Sequence, residues 1–373
     1  MINYDLQIAK EMGDRVKLKV LKYILYIESF KISLKLNNLK DIQKNEINYL
    51  ISTIYKELGL YKKSIRQLNT LFKKNKDSNF FLISLLSSIK KCGAQDNYYL
   101  ELIQLFNSRI DNKDYYYYGN SAKKITEVIK KNGFIIIKNF FDKKKINEMK
   151  ENFESNIENS KSVLKSIGKD PHNCIYPLFM INNYNSEKIK NKIKISSKDN
   201  WHFDKYFDNG DSIYLNDHII NRFKDSFLNQ LISNYVENNQ WKLYSDYSMS
   251  RKISDYGFEK EGYAGLHQDS RLTLLYKHYL TFWIPFCKSG NGYAPTLDVI
   301  PTYCKNYFPY EYYFDPNNIS RQKLSIRDFP DECVLSPNVD LGDLWIHDSF
   351  TLHGTSVNKN NFGSRHSIDL RFF

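Results

Sequence analysis

The chain has 373 residues, of which 42% are hydrophobic and 15% aromatic. This composition supports a packed core, excludes a globally disordered chain, and allows two domains or one large domain with an appendage. The formal charge is +12, but the lysines are dispersed in short runs among Asn, Ser and Glu, which disfavours a dedicated nucleic-acid groove.

The cysteines and the apolar runs give expectations about the cellular compartment. Five scattered cysteines without a CxxC pair favour a reducing compartment and argue against a zinc module or a disulfide framework. Several charged side chains interrupt the first thirty residues, so the apolar core of a signal peptide is missing. No run of eighteen or more apolar residues occurs. We therefore predict a cytoplasmic protein with no membrane partner.

Residues 1–113 are predicted to form a helical domain. Leucines and isoleucines between residues 18 and 27 recur with a helical period, and the segment contains no proline. Residues 49–72 resemble one tetratricopeptide-type helix pair, with Gly59 at the turn and Ser64 where two helices must approach closely. An ordinary helical bundle explains the pattern equally well. Either arrangement can present a surface to a protein partner.

Residues 112–120 break the helical pattern and mark the predicted start of a second domain, at residues 120–373. A short helix is predicted at 122–131 and a further helix from Asp142. Predicted strands lie at 133–137, 244–249, 279–286, 297–300, 334–335, 344–346 and 368–373. Because many short strands follow one another without helices between them, we predict an α+β fold: a double-stranded β-helix (jelly roll or cupin-like) domain preceded by an all-α domain.

Three side chains in this second domain offer a metal-binding set. The run His267-Gln268-Asp269 and the later His353 supply two imidazoles and one carboxylate, which can occupy one face of an Fe(II) ion and leave positions open for a co-substrate and O2. In a strand, positions i and i+2 share a face, so His267 and Asp269 can point to the same side. Arg365, twelve residues after His353, is a candidate cation for a dicarboxylate beside the metal.

The order of motifs across residues 120–373 resembles the phytanoyl-CoA dioxygenase family of Fe(II)/2-oxoglutarate oxygenases. The resemblance rests on Gly133-Phe134-Ile135-Ile136-Ile137, His267-Gln268-Asp269, Phe282-Trp283-Ile284-Pro285-Phe286, the glycine loop at 290–292, the strand at 297–301, the run from Gly342-Asp343 to His353-Gly354-Thr355-Ser356, and Arg365-His366-Ser367. The family usually has Pro-Gly-Ser-His after the 297–300 strand, whereas this chain has Pro301-Thr302-Tyr303-Cys304. That loop borders the substrate side, so the resemblance identifies the type of oxidation and not the substrate.

The resemblance implies that His267, Asp269 and His353 bind Fe(II). Related halogenases replace the carboxylate, so the retained Asp269 favours hydroxylation or another two-electron oxidation. The expected enzyme is a 2-oxoglutarate-dependent dioxygenase (hydroxylase) with Fe(II), 2-oxoglutarate and O2. It is expected to act on a small-molecule or carrier-bound metabolite and to release succinate and CO2.

The resemblance also implies a site for the co-substrate. Arg365, helped by Ser367, would bind the distal carboxylate of 2-oxoglutarate through a charge-assisted pair. Gln268 and Trp283 match positions that can touch the co-substrate. Arg371, in the predicted terminal strand, is a rival for the carboxylate.

Other histidines compete with the metal ligands, and other functions compete with catalysis on a metabolite. A second H-x-D pair, His202 and Asp204, would displace the 279–286 strand from its usual place after the motif. His347 competes with His353, but it lacks the following Gly-Thr and lies farther from Arg365. The functional alternatives are a protein- or nucleic-acid-modifying oxygenase docked through the helical domain, and a non-catalytic interaction protein that retains the fold.

Overall fold

A computed structural model of the chain describes residues 26, 39–110, 114–151, 226–236, 249–253, 266–269, 278–303, 308, 311–312, 322–323, 329–356, 361, 363 and 365–372. The chain divides into two compact units. Met1–Arg109 and Arg327–Cys333 form the first, and Ile110–Ile326 and Val334–Phe373 form the second. Within the described ranges, no helix is long and apolar enough to cross a membrane.

The first unit contains α1 (Asp41–Glu57), α2 (Tyr61–Lys74), α3 (Asn79–Cys92) and α4 (Asn97–Arg109). Gly59, with φ of 72°, makes the left-handed turn between α1 and α2. The fully buried Ser64 lies with its hydroxyl 3.3 Å from that of Ser88, so small side chains allow α2 and α3 to approach closely. The described part of the predicted helical region, residues 39–110, is therefore helical, while all but one residue of the helical pattern at 18–27 lies outside the described residues. Its likeness to a tetratricopeptide repeat stays a prediction.

The second unit combines helices with short strands. Its helices are α5 (Ala122–Asn132) and α6 (Ser226–Val236), and residues 143–151 are also helical. Its strands are β1 (Tyr116–Tyr117), β2 (Phe134–Ile137), β3 (Met249–Ile253), β4 (Leu280–Pro285), β5 (Leu297–Val299), β6 (Glu311–Tyr312), β7 (Gln322–Lys323), β8 (Leu344–Asp348), β9 (His353–Thr355) and β10 (Arg365–Phe372).

The strands form one large sheet and two strand pairs. The large sheet has the order β1-β2-β8-β4-β10-β3, in which only β1 and β2 run parallel, while β5 pairs with β9 and β6 with β7. The strands predicted at 133–137, 279–286, 297–300, 344–346 and 368–373 correspond to β2, β4, β5, β8 and β10. The strand predicted at 334–335 makes only an isolated bridge, between Leu335 and Val299. Most of the strand predicted at 244–249 lies outside the described residues, and Met249 begins β3.

The two faces of the large sheet have different neighbours, because successive strand residues point to opposite sides. One face carries apolar residues such as Ile135, Phe282 and Leu370, which pack with α5 and α6 in a buried cluster. On the opposite face, Trp283 and Trp345 belong to a second buried cluster that includes residues of β5. The polar residues of that second face define the candidate site.

Candidate metal centre

Three potential ligand atoms converge in the second unit, next to the polar residues on the face of the large sheet that is opposite to the helices. The Nε2 atoms of His267 and His353 lie 3.5 Å and 3.7 Å from Oδ1 of Asp269, and all three side chains are buried. The ligand atoms lie within 4.8 Å of one another, an arrangement that can hold a metal ion. The structure thus brings together the three residues predicted as ligands.

Backbone pairing sets the distance between the two histidines. Each donates its N–H to the carbonyl of the other, His267 at 2.8 Å and His353 at 3.0 Å, in an antiparallel bridge at the start of β9. Nδ1 of His353 lies 3.0 Å from the carbonyl oxygen of Thr351, which can only accept a hydrogen bond. The proton therefore sits on Nδ1, and the lone pair of Nε2 faces the other two ligands.

The electrostatic surroundings keep both groups in the protonation states that bind metals. Burial lowers the pKa of His353 well below its usual value, and the neighbouring His347 and His267 lower it further, so the ring stays neutral. Burial alone would raise the pKa of Asp269, but the charge of Arg371 and the surrounding imidazoles hold it well below its usual value. His353 is therefore a neutral imidazole and Asp269 a carboxylate, which is the ligating form of each residue.

The second oxygen of Asp269 is held by residues that the motif did not reveal. Oδ2 accepts hydrogen bonds of 2.9 Å from Nε of Arg371 and 2.9 Å from the hydroxyl of Thr281. Nη2 of Arg371 also lies 2.9 Å away, and Nε2 of His347 lies 3.7 Å away. Arg371, which the sequence offered as an alternative to Arg365 for binding the co-substrate carboxylate, is thus paired with Asp269. His347 lies beside His353, with ring centroids 4.0 Å apart, although the motif favoured only one of them.

Arg365 lies in the same pocket as the two histidines and is 1% exposed. Its Nη1 donates to the carbonyl of Thr296 at 3.0 Å, and its Nη2 donates to the hydroxyl of Thr355 at 3.4 Å. The guanidinium lies over the ring of Trp283, 5.3 Å from the centroid. These contacts fix the cation at one end of the pocket.

The other predicted site residues have distinct positions. Trp283 lines the pocket, and Ser367 shares the pocket face of β10 with Arg365 because the two are separated by one residue. Gln268 is fully buried, and its side-chain amide donates to the Phe350 carbonyl at 2.7 Å and accepts from the Phe308 N–H at 2.9 Å. The alternative pair His202 and Asp204 lies outside the described residues.

No protein-family model matches the chain, and no curated protein matches its sequence. Similar solved structures include EvdO2 from Micromonospora carbonacea var. aurantiaca complexed with 2-oxoglutarate (11% identity, TM-score 0.42, covering 69% of this chain and 92% of that one). They also include the epimerase SnoN in complex with Fe3+, alpha ketoglutarate and nogalamycin RO (10% identity, TM-score 0.39, covering 68% of this chain and 83% of that one). A third is HygX from Streptomyces hygroscopicus with nickel and 2-oxoglutarate bound (13% identity, TM-score 0.38, covering 67% of this chain and 86% of that one).

Proposed function

We propose that the chain is an Fe(II)/2-oxoglutarate-dependent oxygenase with a double-stranded β-helix catalytic domain of the phytanoyl-CoA dioxygenase type. It would hydroxylate a C–H bond of a small or carrier-bound metabolite. The observation that carries the proposal is the buried convergence of His267, Asp269 and His353 beside a pocket that the two histidines and the buried Arg365 line.

The three ligands fit an Fe(II) ion by their chemistry. Two imidazoles and one carboxylate on one side of an ion are the ligand set of non-heme Fe(II) oxygenases, in which the remaining positions stay open. A structural zinc site would need four protein ligands. Within the described residues, the group of potential ligands has only three members.

Buried polar atoms near Arg365 fit the carboxylate of 2-oxoglutarate. Trp283 Nε1 and the Ser367 hydroxyl have no hydrogen-bond partner among the described residues, although both side chains are at most 1% exposed. A buried polar group without a partner costs about 1–3 kcal/mol. An anion held by Arg365 at this end of the pocket would give both groups an acceptor and remove that cost.

The buried charges of the site also fit a metal together with a dianion. Arg365, Arg371, Asp269 and Asp369 are all buried, and their formal charges cancel. A divalent ion alone would leave two positive charges in a pocket where unpaired charge is expensive. The two carboxylates of 2-oxoglutarate would neutralise them, so the ion and the co-substrate are expected to bind together.

In this reaction the chain positions the reactants and excludes water. Fe(II) with 2-oxoglutarate and O2 supplies an oxidant for C–H bonds as the co-substrate becomes succinate and CO2. His267, Asp269 and His353 would fix the ligand geometry, and Arg365 would set the direction of the co-substrate. Trp283 and Leu297 give the pocket an apolar wall that limits entry of water.

The proposal is tested by measuring succinate formed from 2-oxoglutarate and by Fe(II) retention. We expect the unchanged protein to retain Fe(II) and form succinate, and His267→Ala or Asp269→Ala to lose both. Normal succinate formation by His353→Ala would refute the ligand assignment. An anaerobic incubation with Fe(II), 2-oxoglutarate and a metabolite extract, followed by mass spectrometry of retained compounds, would then identify the substrate class.

A further inference from the structure

The carboxylate of Asp269 has two oxygens in different surroundings. Oδ1 faces His267 and His353 at 3.5 Å and 3.7 Å. Oδ2 points to the sheet, where Arg371 approaches it through both Nε and Nη2 at 2.9 Å and the Thr281 hydroxyl donates at 2.9 Å. One oxygen is therefore turned to the candidate metal, while the other is fully occupied by donors from the protein.

The strand register places these donors in a single row. Arg371 of β10 is paired with Thr281 of β4, and Thr281 is paired with His347 of β8. The three side chains lie on the polar face of three neighbouring strands, and the Nε2 of His347 lies 3.7 Å from Oδ2. Neither ring nitrogen of His347 has a hydrogen-bond partner among the described residues, although the residue is 1% exposed.

A purely structural role does not explain why these three polar side chains are buried together. Apolar side chains of similar volume usually stabilise a core as well as a buried ion pair does, because burying both charges costs hydration energy. Here a cation, a hydroxyl and an imidazole from three strands surround one oxygen atom. Groups that hold a ligating side chain in this way orient it and adjust how strongly it donates to the metal.

We propose that Arg371, together with Thr281, is a positioning residue that holds Oδ2 of Asp269 so that only Oδ1 ligates the metal. This inference rests on the proposed metal site. A carboxylate that binds through one oxygen leaves more coordination positions for the two atoms of a chelating co-substrate and for O2. Without Arg371, the carboxylate can rotate, and its second oxygen can compete for a position on the ion.

The test measures Co(II) binding in place of Fe(II), by calorimetry and by the visible spectrum of the bound ion. Arg371→Met should bind Co(II) about 10–100-fold more weakly, which is the usual effect of removing a partner of a metal ligand. Its Co(II) spectrum should also change, because the number or geometry of the ligands changes. Arg371→Lys keeps one charged donor and should fall between Arg371→Met and the unchanged protein.

Matched variants separate this effect from a general loss of structure. Arg109→Met makes the same substitution in the first unit, where the guanidinium donates to Asn79 and to the Lys76 carbonyl, and it should leave Co(II) binding unchanged. If Arg371→Met does not fold, Thr281→Val removes a single donor and should weaken binding about three- to tenfold. Thr126→Val is its control, since that hydroxyl donates within α5 at 2.9 Å.

The outcomes distinguish the two proposals. An unchanged protein that binds neither Co(II) nor Fe(II) would refute the metal site itself. If the unchanged protein binds Co(II) and folded Arg371 or Thr281 variants bind it equally well or better with the same spectrum, the metal site stands and the positioning role is wrong.

Discussion

Replacement of Arg365 by lysine tests the co-substrate site most sharply, because it changes the shape of the donor and keeps its charge. The guanidinium is 1% exposed, donates to the Thr296 carbonyl at 3.0 Å and lies over Trp283. A lysine ammonium would sit in the same pocket as a point charge. It cannot present the planar fork that pairs with both oxygens of a carboxylate.

The size of the effect follows from the bonds that are lost. A hydrogen bond to a charged group contributes about 1.5–3 kcal/mol, so losing one of two donors should weaken 2-oxoglutarate binding about 10–100-fold. Arg365→Ala loses both donors and the charge, and binding should fall at least about 100-fold. Co(II) affinity should stay nearly constant, since Arg365 is not one of the three proposed ligands and contacts Thr296, Pro295, Thr355 and Trp283.

The assay is a calorimetric titration of 2-oxoglutarate into the Co(II)-loaded protein, with Co(II) affinity measured separately for each variant. Thermal unfolding checks that each variant folds, because Arg365→Ala leaves the Thr296 carbonyl without this donor. Unaltered 2-oxoglutarate affinity in a folded Arg365→Ala variant would refute the assignment of Arg365 as the anchor. Equal losses of Co(II) and 2-oxoglutarate affinity would point to a general disturbance of the pocket.

Two further predictions concern stability. Gly133→Ala should destabilise the second unit by about 2–4 kcal/mol, because φ is +82° and an added Cβ would lie 2.6 Å from the Thr302 carbonyl oxygen. At Gly292 the φ is +75° but nothing lies within 4 Å of an added Cβ, so Gly292→Ala should lower the unfolding free energy by only about 1 kcal/mol in chemical denaturation. Equal losses of stability in the two variants would contradict the packing argument. The metal-free protein should also lose stability as the pH falls below about 6.5, because an unfolded histidine gains a proton there while the lowered pKa of His353 keeps the folded ring neutral. Urea unfolding at pH 7.5 and at pH 5.5 should show a smaller loss of unfolding free energy for His353→Gln than for the wild-type protein. An equal loss in the two proteins would show that His353 does not cause the pH dependence.

Local patterns in the sequence were sufficient for most of the strands that build the sheet. The runs 279–286 and 344–346 are apolar and β-branched or aromatic, and they lie in β4 and β8. For β10 the prediction began at residue 368, whereas the strand begins at Arg365. Arg365, His366 and Ser367 gave no apolar signal, yet all three are buried. Arg365 and Ser367 lie on the polar face of β10 that carries the site, whereas His366 lies on the opposite face, which carries the apolar residues Ile368 and Leu370.

The metal ligands were predicted from motifs, whereas the residues around them depend on register. His267 and Asp269 are two positions apart, and the Gly-Thr after His353 marked it as a partner. Arg371 follows Asp269 by 102 positions, and its contact requires β10 to pair with β4 in one register. A shift of one residue would turn Arg371 to the opposite face. No local pattern in the sequence carries that information.

The central claim is most directly tested by an anaerobic titration of the protein with Fe(II) and 2-oxoglutarate, followed by visible absorption. We predict one Fe(II) per chain and a charge-transfer band that appears only when both Fe(II) and 2-oxoglutarate are present. His353→Ala should give neither tight Fe(II) binding nor the band. An unchanged protein that binds no Fe(II), or a band of equal intensity in His353→Ala, would contradict the assignment of His267, Asp269 and His353 as the metal site.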